Sequence, residues 1–238
     1  VTSQEPLYEG KAKKLYEGTE PGTFDVEYLD QATAGDGAKK DHFSGKGALN
    51  NEITSIIFEY LTARGIPNHF VARTDATHQV IKKMRMIPLE CVVRNYTAGS
   101  ECRRLGLEQG TKLASPLTQF FFKNDALHDP LVTDDEVTGV LHILTPEQVV
   151  TLKAHMLEVN AALLEFFAAA GLILADFKLE YGFDAAGAIT LGDEVSPDTC
   201  RLWDASTMAS LDKDVYRKDT GDLLATYREV LRRIKEVH

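Results

Sequence analysis

The sequence predicts an α+β fold in two lobes: a strand-rich N-terminal lobe over residues 1–88 and a mixed α/β lobe over residues 89–238. Three observations carry this. Short apolar–polar alternations crowd the first ninety or so residues, two long stretches have helical period, and the segment from Asp176 alternates without a break. In that segment Asp176, Lys178 and Glu180 share one face, while Phe177, Leu179 and Tyr181 share the other, the period of a half-buried strand.

Each element follows from a local signal. Leu7–Glu9 and Leu15–Gly18 read as strands flanking the tip Gly10-Lys11-Ala12-Lys13-Lys14, and another strand is expected over Phe24–Leu29. Leu49, Ile53, Ile56, Ile57, Tyr60 and Leu61 form one stripe of a helix from about Lys46 to Arg64, stopped by Gly65 and Pro67. Strands are expected at His69–Arg73, Val80–Met84 and Leu89–Arg94, with Pro88 as a break. A short helix over Ser100–Leu105 should be N-capped by Ser100 and end at Gly106, and residues 111–138 read as loop-rich. Thr145-Pro146-Glu147-Gln148 is a capping box with proline at the first helical position, so a helix should run to about Ala170. After the Asp176 strand comes a short strand, Ala188–Leu191, and an amphipathic helix closes the chain from Leu223 to Val237.

Composition narrows the function classes. The chain of 238 residues is 44% hydrophobic and 26% charged, ordinary for a globular protein. A net charge of −10 disfavours nucleic-acid and anionic-membrane partners. No apolar run is long enough to span a bilayer, and the first residues lack signal-peptide character. Cys91, Cys102 and Cys200 are odd in number and dispersed, which points to a reducing, cytoplasmic compartment rather than a disulfide framework. Residues 1–119 hold 15 Lys and Arg against 15 Asp and Glu, and residues 120–238 hold 11 against 21. One half can thus offer cations to phosphates and the other carboxylates to a metal, although a solvated acidic surface explains the same counts.

Several clusters carry chemistry. A loop of about four residues after the Asp176 strand would set Glu180 opposite Asp193. Opposed carboxylates repel, so a cation between them makes sense, and few hard oxygen ligands suit Mg²⁺. The alternative is a solvated acidic hairpin. Alternation puts Lys11 and Lys13 on one face of their tip, where they can hold a triphosphate or merely protect an edge. Gly45-Lys46-Gly47 lacks the spacing of a P-loop. Glu90, Val92 and Arg94 share a strand face, and Arg94 beside Ser100 is a candidate anion cradle. Lys123–Pro130 and Ser196–Asp204 are polar loops; Arg201 is a candidate anion clamp, His128 a candidate base or a simply bonded histidine, and Trp203 core.

Taken together these segments resemble the SAICAR synthetase family of purine biosynthesis. The resemblance rests on Leu7–Lys13, Ala34–Ala38, Pro88–Asn95, Ala98–Ser100, Lys123–Pro130, Asp176–Glu180, Gly192–Glu194, Ser196–Asp198 and Arg201–Asp204, all in family order. One departure is Cys200, where the family usually has serine. The resemblance implies an ATP-dependent ligase that joins L-aspartate to carboxyaminoimidazole ribonucleotide (CAIR), giving SAICAR, ADP and phosphate through an acyl phosphate. It implies a nucleotide cleft between the lobes, distantly like that of protein kinases. Lys11 and Lys13 would hold ATP phosphates, Lys82 through Met86 would line the adenine side, and Lys123 would also bind ATP. Glu180 and Asp193 would hold one Mg²⁺, Glu90 and Asp129 a second. Arg94, Ser100 and Arg201 would take the ribonucleotide, while Asp36, Asp176 and Lys178 would position CAIR or stabilise the transferring phosphoryl. A homo-oligomer is compatible with the sequence. A kinase of the same fold would lack the segments 94–100 and 196–201, and a non-catalytic nucleotide binder would have no need of two carboxylate pairs.

Overall fold

A computed structural model describes residues 5–34 and 39–238. Strands β1 (Tyr8–Glu9), β2 (Lys13–Glu17) and β3 (Thr23–Tyr28) form a meander, followed by the hairpin β4 (Gln31–Ala34) and β5 (Lys39–His42). Helix α1 (Lys46–Ala63) leads to β6 (Phe70–Arg73), β7 (His78–Lys82) and the long β8 (Arg85–Tyr96). Then come α2 (Gly99–Leu105), β9 (Lys112–Phe122), a 3₁₀ turn (Asp125–Leu127), β10 (Leu131–Val132) and a π-helical turn (Glu136–Val140). Helix α3 (Pro146–Ala169), β11 (Leu172–Phe183), β12 (Ile189–Gly192), β13 (Cys200–Asp204), α4 (Asp214–Arg217) and α5 (Leu223–Val237) complete the chain.

Beside the two-stranded β4–β5 hairpin, the described residues form two larger antiparallel sheets. The first has the order β1-β2-β3-β7-β6; the second runs β10-β9-β8-β11-β12, with β13 also on β11. The main core lies between the second sheet and helices α1, α3 and α5, and includes Ile57, Phe58, Met156, Phe166, Phe177 and Tyr181. A small separate core of Val26, Tyr28 and Ile81 supports the first sheet. The α+β architecture follows expectation, and β8 crosses residue 88, where the lobes were expected to divide.

Alternation explains the central strands. On β11, Phe177, Leu179 and Tyr181 are about 1% exposed in the main core, which turns Asp176, Lys178 and Glu180 to the other face. On β8, Leu89, Cys91 and Val93 are fully buried, turning Glu90 and Arg94 the same way. The capping box at Thr145 and Gln148 forms as expected and starts α3.

Four local expectations are corrected. Pro88 lies within β8, not at its start; the β8–β11 register shifts between Glu180 and Gly182, an irregularity that accommodates a residue without an N–H. Ser100 lies in the first turn of α2, whose N-cap is Ala98. Residues 112–122, expected to be loop, form β9 because β8 supplies a pairing edge, continuous from Leu89 to Arg94 and resumed at Tyr96 after a register shift. Glu180 pairs with Gly192 rather than Asp193, which follows the strand at φ 57°.

Candidate active site

The polar faces of β8 and β11 form the floor of a cavity of about 840 Å³, walled by the β1–β2 tip and the loops after β9, β12 and β13. Among the expected residues, Lys11, Lys13, Glu90, Arg94, Ser100, Lys123, Asp129, Asp176, Lys178, Glu180, Asp193 and Arg201 all line it. Lys82 and Met86 lie outside that lining, and Asp36 lies outside the described residues.

At one end the chemistry is lysine and carboxylate. Register sets Glu90 directly opposite Glu180. Lys178 separates them, with Nζ 3.1 Å from Glu90 Oε1 and 3.2 Å from Glu180 Oε1, so the pair does not repel unopposed. Lys123 Nζ lies 2.5 Å from Glu180 Oε2. Lys13 binds Asp193 and stands 3.3 Å from Glu194. Burial opposes the charge on Lys178, but Glu180, Asp193 and Glu90 outweigh it and raise its pKa, so the ammonium is firmly protonated. Burial likewise opposes ionisation of Asp193, yet Lys13 and Lys178 hold it well below the usual carboxylate range. Lys11 is more exposed, 3.4 Å from Asp125 on the facing loop. Asp129, at φ 46°, accepts a bond from the Asn124 N–H at 2.7 Å.

At the other end guanidinium groups dominate. Register places Asp176 opposite both Arg94 on β8 and Arg201 on β13. Asp176 is 3% exposed, and its oxygens accept from Arg94 Nη1 and, at 2.9 and 3.0 Å, from Arg201 Nη1. Arg94 is held further by Gln119 at 2.8 Å, the Ala98 carbonyl at 3.3 Å and Ser100 Oγ at 3.0 Å. Arg201 also reaches Asp214 at 3.3 Å. Asp176 thus lies between two guanidinium groups and accepts from both.

The sequence reading missed Lys213 and Arg217, which also line the cavity, and gave no role to Asp198, which does too. Asp198 was visible in Ser196-Pro197-Asp198; the two cations had no motif to mark them. Cys200 is buried, and burial pushes its thiol pKa far up, which disfavours the thiolate. Trp203 is core, packed on Ala98 and Ala175. His128 is not among the lining residues.

Among the described residues, no three His, Cys, Asp or Glu side chains converge as a self-sufficient metal cage. Glu90, Asp129, Glu180 and Asp193 all line the cavity and carry hard oxygens, the donor type that suits Mg²⁺, whose shell is usually completed by phosphate and water. Among the described residues, no helix is long and apolar enough to cross a membrane.

The SAICAR synthetase family model matches residues 6–234. The phosphoribosylaminoimidazole-succinocarboxamide synthase of Staphylococcus carnosus is 50% identical over 96% of this chain and 97% of its own length. The crystal structure of the synthase from Ehrlichia chaffeensis superposes with a TM-score of 0.94 at 38% identity, covering 97% of this chain and 98% of that one. A SAICAR synthetase in complex with ADP superposes with a TM-score of 0.92 at 45% identity, covering 95% and 96%. The chain belongs to the SAICAR synthetase family.

Proposed function

We propose that this ATP-dependent ligase of purine biosynthesis activates the CAIR carboxylate as an acyl phosphate over the β8–β11 floor. The observation that carries the reading is the Glu90–Lys178–Glu180 row, flanked by Lys13 and Lys123, in one cavity with the Arg94–Asp176–Arg201 cluster.

A carboxylate oxygen is a poor leaving group, so amide formation needs activation. A CAIR carboxylate oxygen attacks the γ-phosphorus of ATP and ADP departs. The aspartate amine then attacks the acyl carbon, phosphate leaves with that oxygen, and the nitrogen gives up a proton. The protein contributes chiefly position and charge. Lys11, Lys13 and Lys123 hold nucleotide phosphates, as the tip and the facing loop converge from two sides. Lys178, firmly cationic at the centre of the floor, stabilises the transferring phosphoryl group. Arg94, Ser100 and Arg201 take the ribonucleotide end, oriented by Asp176, and Asp36 is proposed to position CAIR. The Lys82–Met86 segment faces the adenine; a Cβ on Gly192, next to Asp193, would stand 2.7 Å from Met84 Cε, which brings this segment against the nucleotide end.

Glu180 with Asp193, and Glu90 with Asp129, are the proposed Mg²⁺ ligands. Mg²⁺ would supply charge neutralisation between phosphate and carboxylate oxygens. The division into lobes after residue 88 and a cytoplasmic location complete the reading. Sustained ADP release that requires CAIR, matched by amide formation that requires L-aspartate, is the expected result of a coupled assay; undiminished release with CAIR omitted, or no amide product with both substrates present, would overturn this reading.

A further inference from the structure

Asp198 is the hub of a second buried cluster that none of these roles uses. Its Oδ2 receives Lys46 Nζ from α1, together with Asn50 Nδ2 at 2.8 Å. Its Oδ1 receives the Tyr227 hydroxyl of α5 at 2.6 Å and lies 3.7 Å from Lys213 Nζ. Burial and Asp198 hold the Tyr227 phenol protonated. One carboxylate is therefore shared by two ammonium groups, a surplus of positive charge at Asp198 with Lys46 wholly buried and Lys213 at the cavity wall.

Such a surplus is costly unless an anion joins it. Lys46 is completely buried and cannot meet one, whereas Lys213 lines the cavity with its side chain 12% exposed. Burial lowers the Lys213 pKa, and Lys46 and Arg217 repel it against the pull of Asp198 and, more weakly, Glu194. The neighbouring cluster does not relieve this. Asp214 is already shared by Arg201 at 3.3 Å, Arg217 at 2.8 Å and Lys218 at 3.0 Å.

We propose that Lys213, held at the cavity wall by Asp198, is an oxyanion subsite that takes a carboxylate or phosphate oxygen of a substrate other than the nucleotide. This rests on the ligase reading, in which the nucleotide phosphates occupy the Lys11, Lys13 and Lys123 end. Two sources share the chemistry: a carboxylate of L-aspartate, or an oxyanion of the ribonucleotide.

The test compares the full-length chain with Lys213→Met, which keeps the length and removes the charge, and Lys213→Arg, which restores charge. ADP affinity by calorimetry reports folding and the nucleotide end, and should stay within about two-fold. The KM for one other substrate should rise at least ten-fold in Lys213→Met, the loss of a charged hydrogen bond, and recover in part in Lys213→Arg. A rise for aspartate identifies the amino-acid carboxylate as the source; a rise for CAIR identifies the ribonucleotide. A readout independent of the reaction is the thermal stabilisation by succinate and by inorganic phosphate, at least one of which should be smaller in Lys213→Met. Unchanged KM values together with unchanged stabilisation by both anions overturn the subsite. Wild-type chain that binds ADP but forms no amide from ATP, CAIR and aspartate overturns the ligase reading instead, and the anion measurement still decides the subsite.

Discussion

Asp176→Asn tests whether Asp176 is an orienting hub. The substitution keeps shape and removes the one negative charge between two guanidinium groups whose side chains are 4% and 19% exposed. Arg201 retains Asp214, but Arg94 keeps only the neutral partners Gln119, Ala98 and Ser100. Removing one member of a buried ion pair costs about 3–5 kcal/mol, a large share of the roughly 5–15 kcal/mol that stabilises a domain. For a chain of this size about 1 kcal/mol moves Tm by about 2–4 °C, so a fall of roughly 6–20 °C is expected. Urea unfolding of wild type and variant measures the difference, and inorganic phosphate should restore part of it by standing between the freed arginines. A loss below about 1 kcal/mol without phosphate rescue would refute the hub. Abolished turnover with intact stability would instead make Asp176 a group that acts on substrate.

Glu180→Gln should lower kcat by about a hundred-fold or more while raising the Mg²⁺ concentration needed for half-maximal activity; a normal metal dependence removes Glu180 from the metal site. Gly99→Ala should raise the KM for CAIR about ten-fold with ADP affinity unchanged, because Gly99 sits at φ 60° and its new Cβ would fall 2.5 Å from Arg201 Nη1. An equal loss of ADP affinity would show a general distortion. His69 is buried, and burial together with the charge on Lys13 lowers its pKa from 6.5 to about 4. The unfolded chain then binds more protons between those values, so stability falls as pH drops through 6.5 and levels off below about 4, by roughly 3 kcal/mol in all. Denaturant curves of His69→Gln across that range should lack this share of the slope, and a variant curve parallel to wild type would contradict it.

What was legible in the sequence follows the range of the forces involved. The capping box at Thr145 and the alternation from Asp176 to Tyr181 are local patterns, and each forms as read. Strand β9 was missed because Lys112–Phe122 has little alternation and contains Pro116; its pairing with β8, a long-range interaction, makes it a strand. The one-residue error at Asp193 has the same origin, since the turn carrying Gly187 sets the register and its bonds to Asp184 cannot be read from composition. The lysine tip and the acidic strand were each ambiguous in isolation, and only folding shows that Lys13 lies against Asp193. The Asp198 cluster joins Lys46, Asp198, Lys213 and Tyr227 from four separate segments, and no spacing rule connects them.

The central claim is that a CAIR carboxylate oxygen takes the γ-phosphoryl group before the amide forms. CAIR carrying ¹⁸O in its carboxylate, turned over with ATP and aspartate and sampled quickly because CAIR can lose that carboxylate, reports this directly. Inorganic phosphate bearing one ¹⁸O atom is the expected product, whereas unlabelled phosphate beside fully labelled residual CAIR would rule the acyl phosphate out.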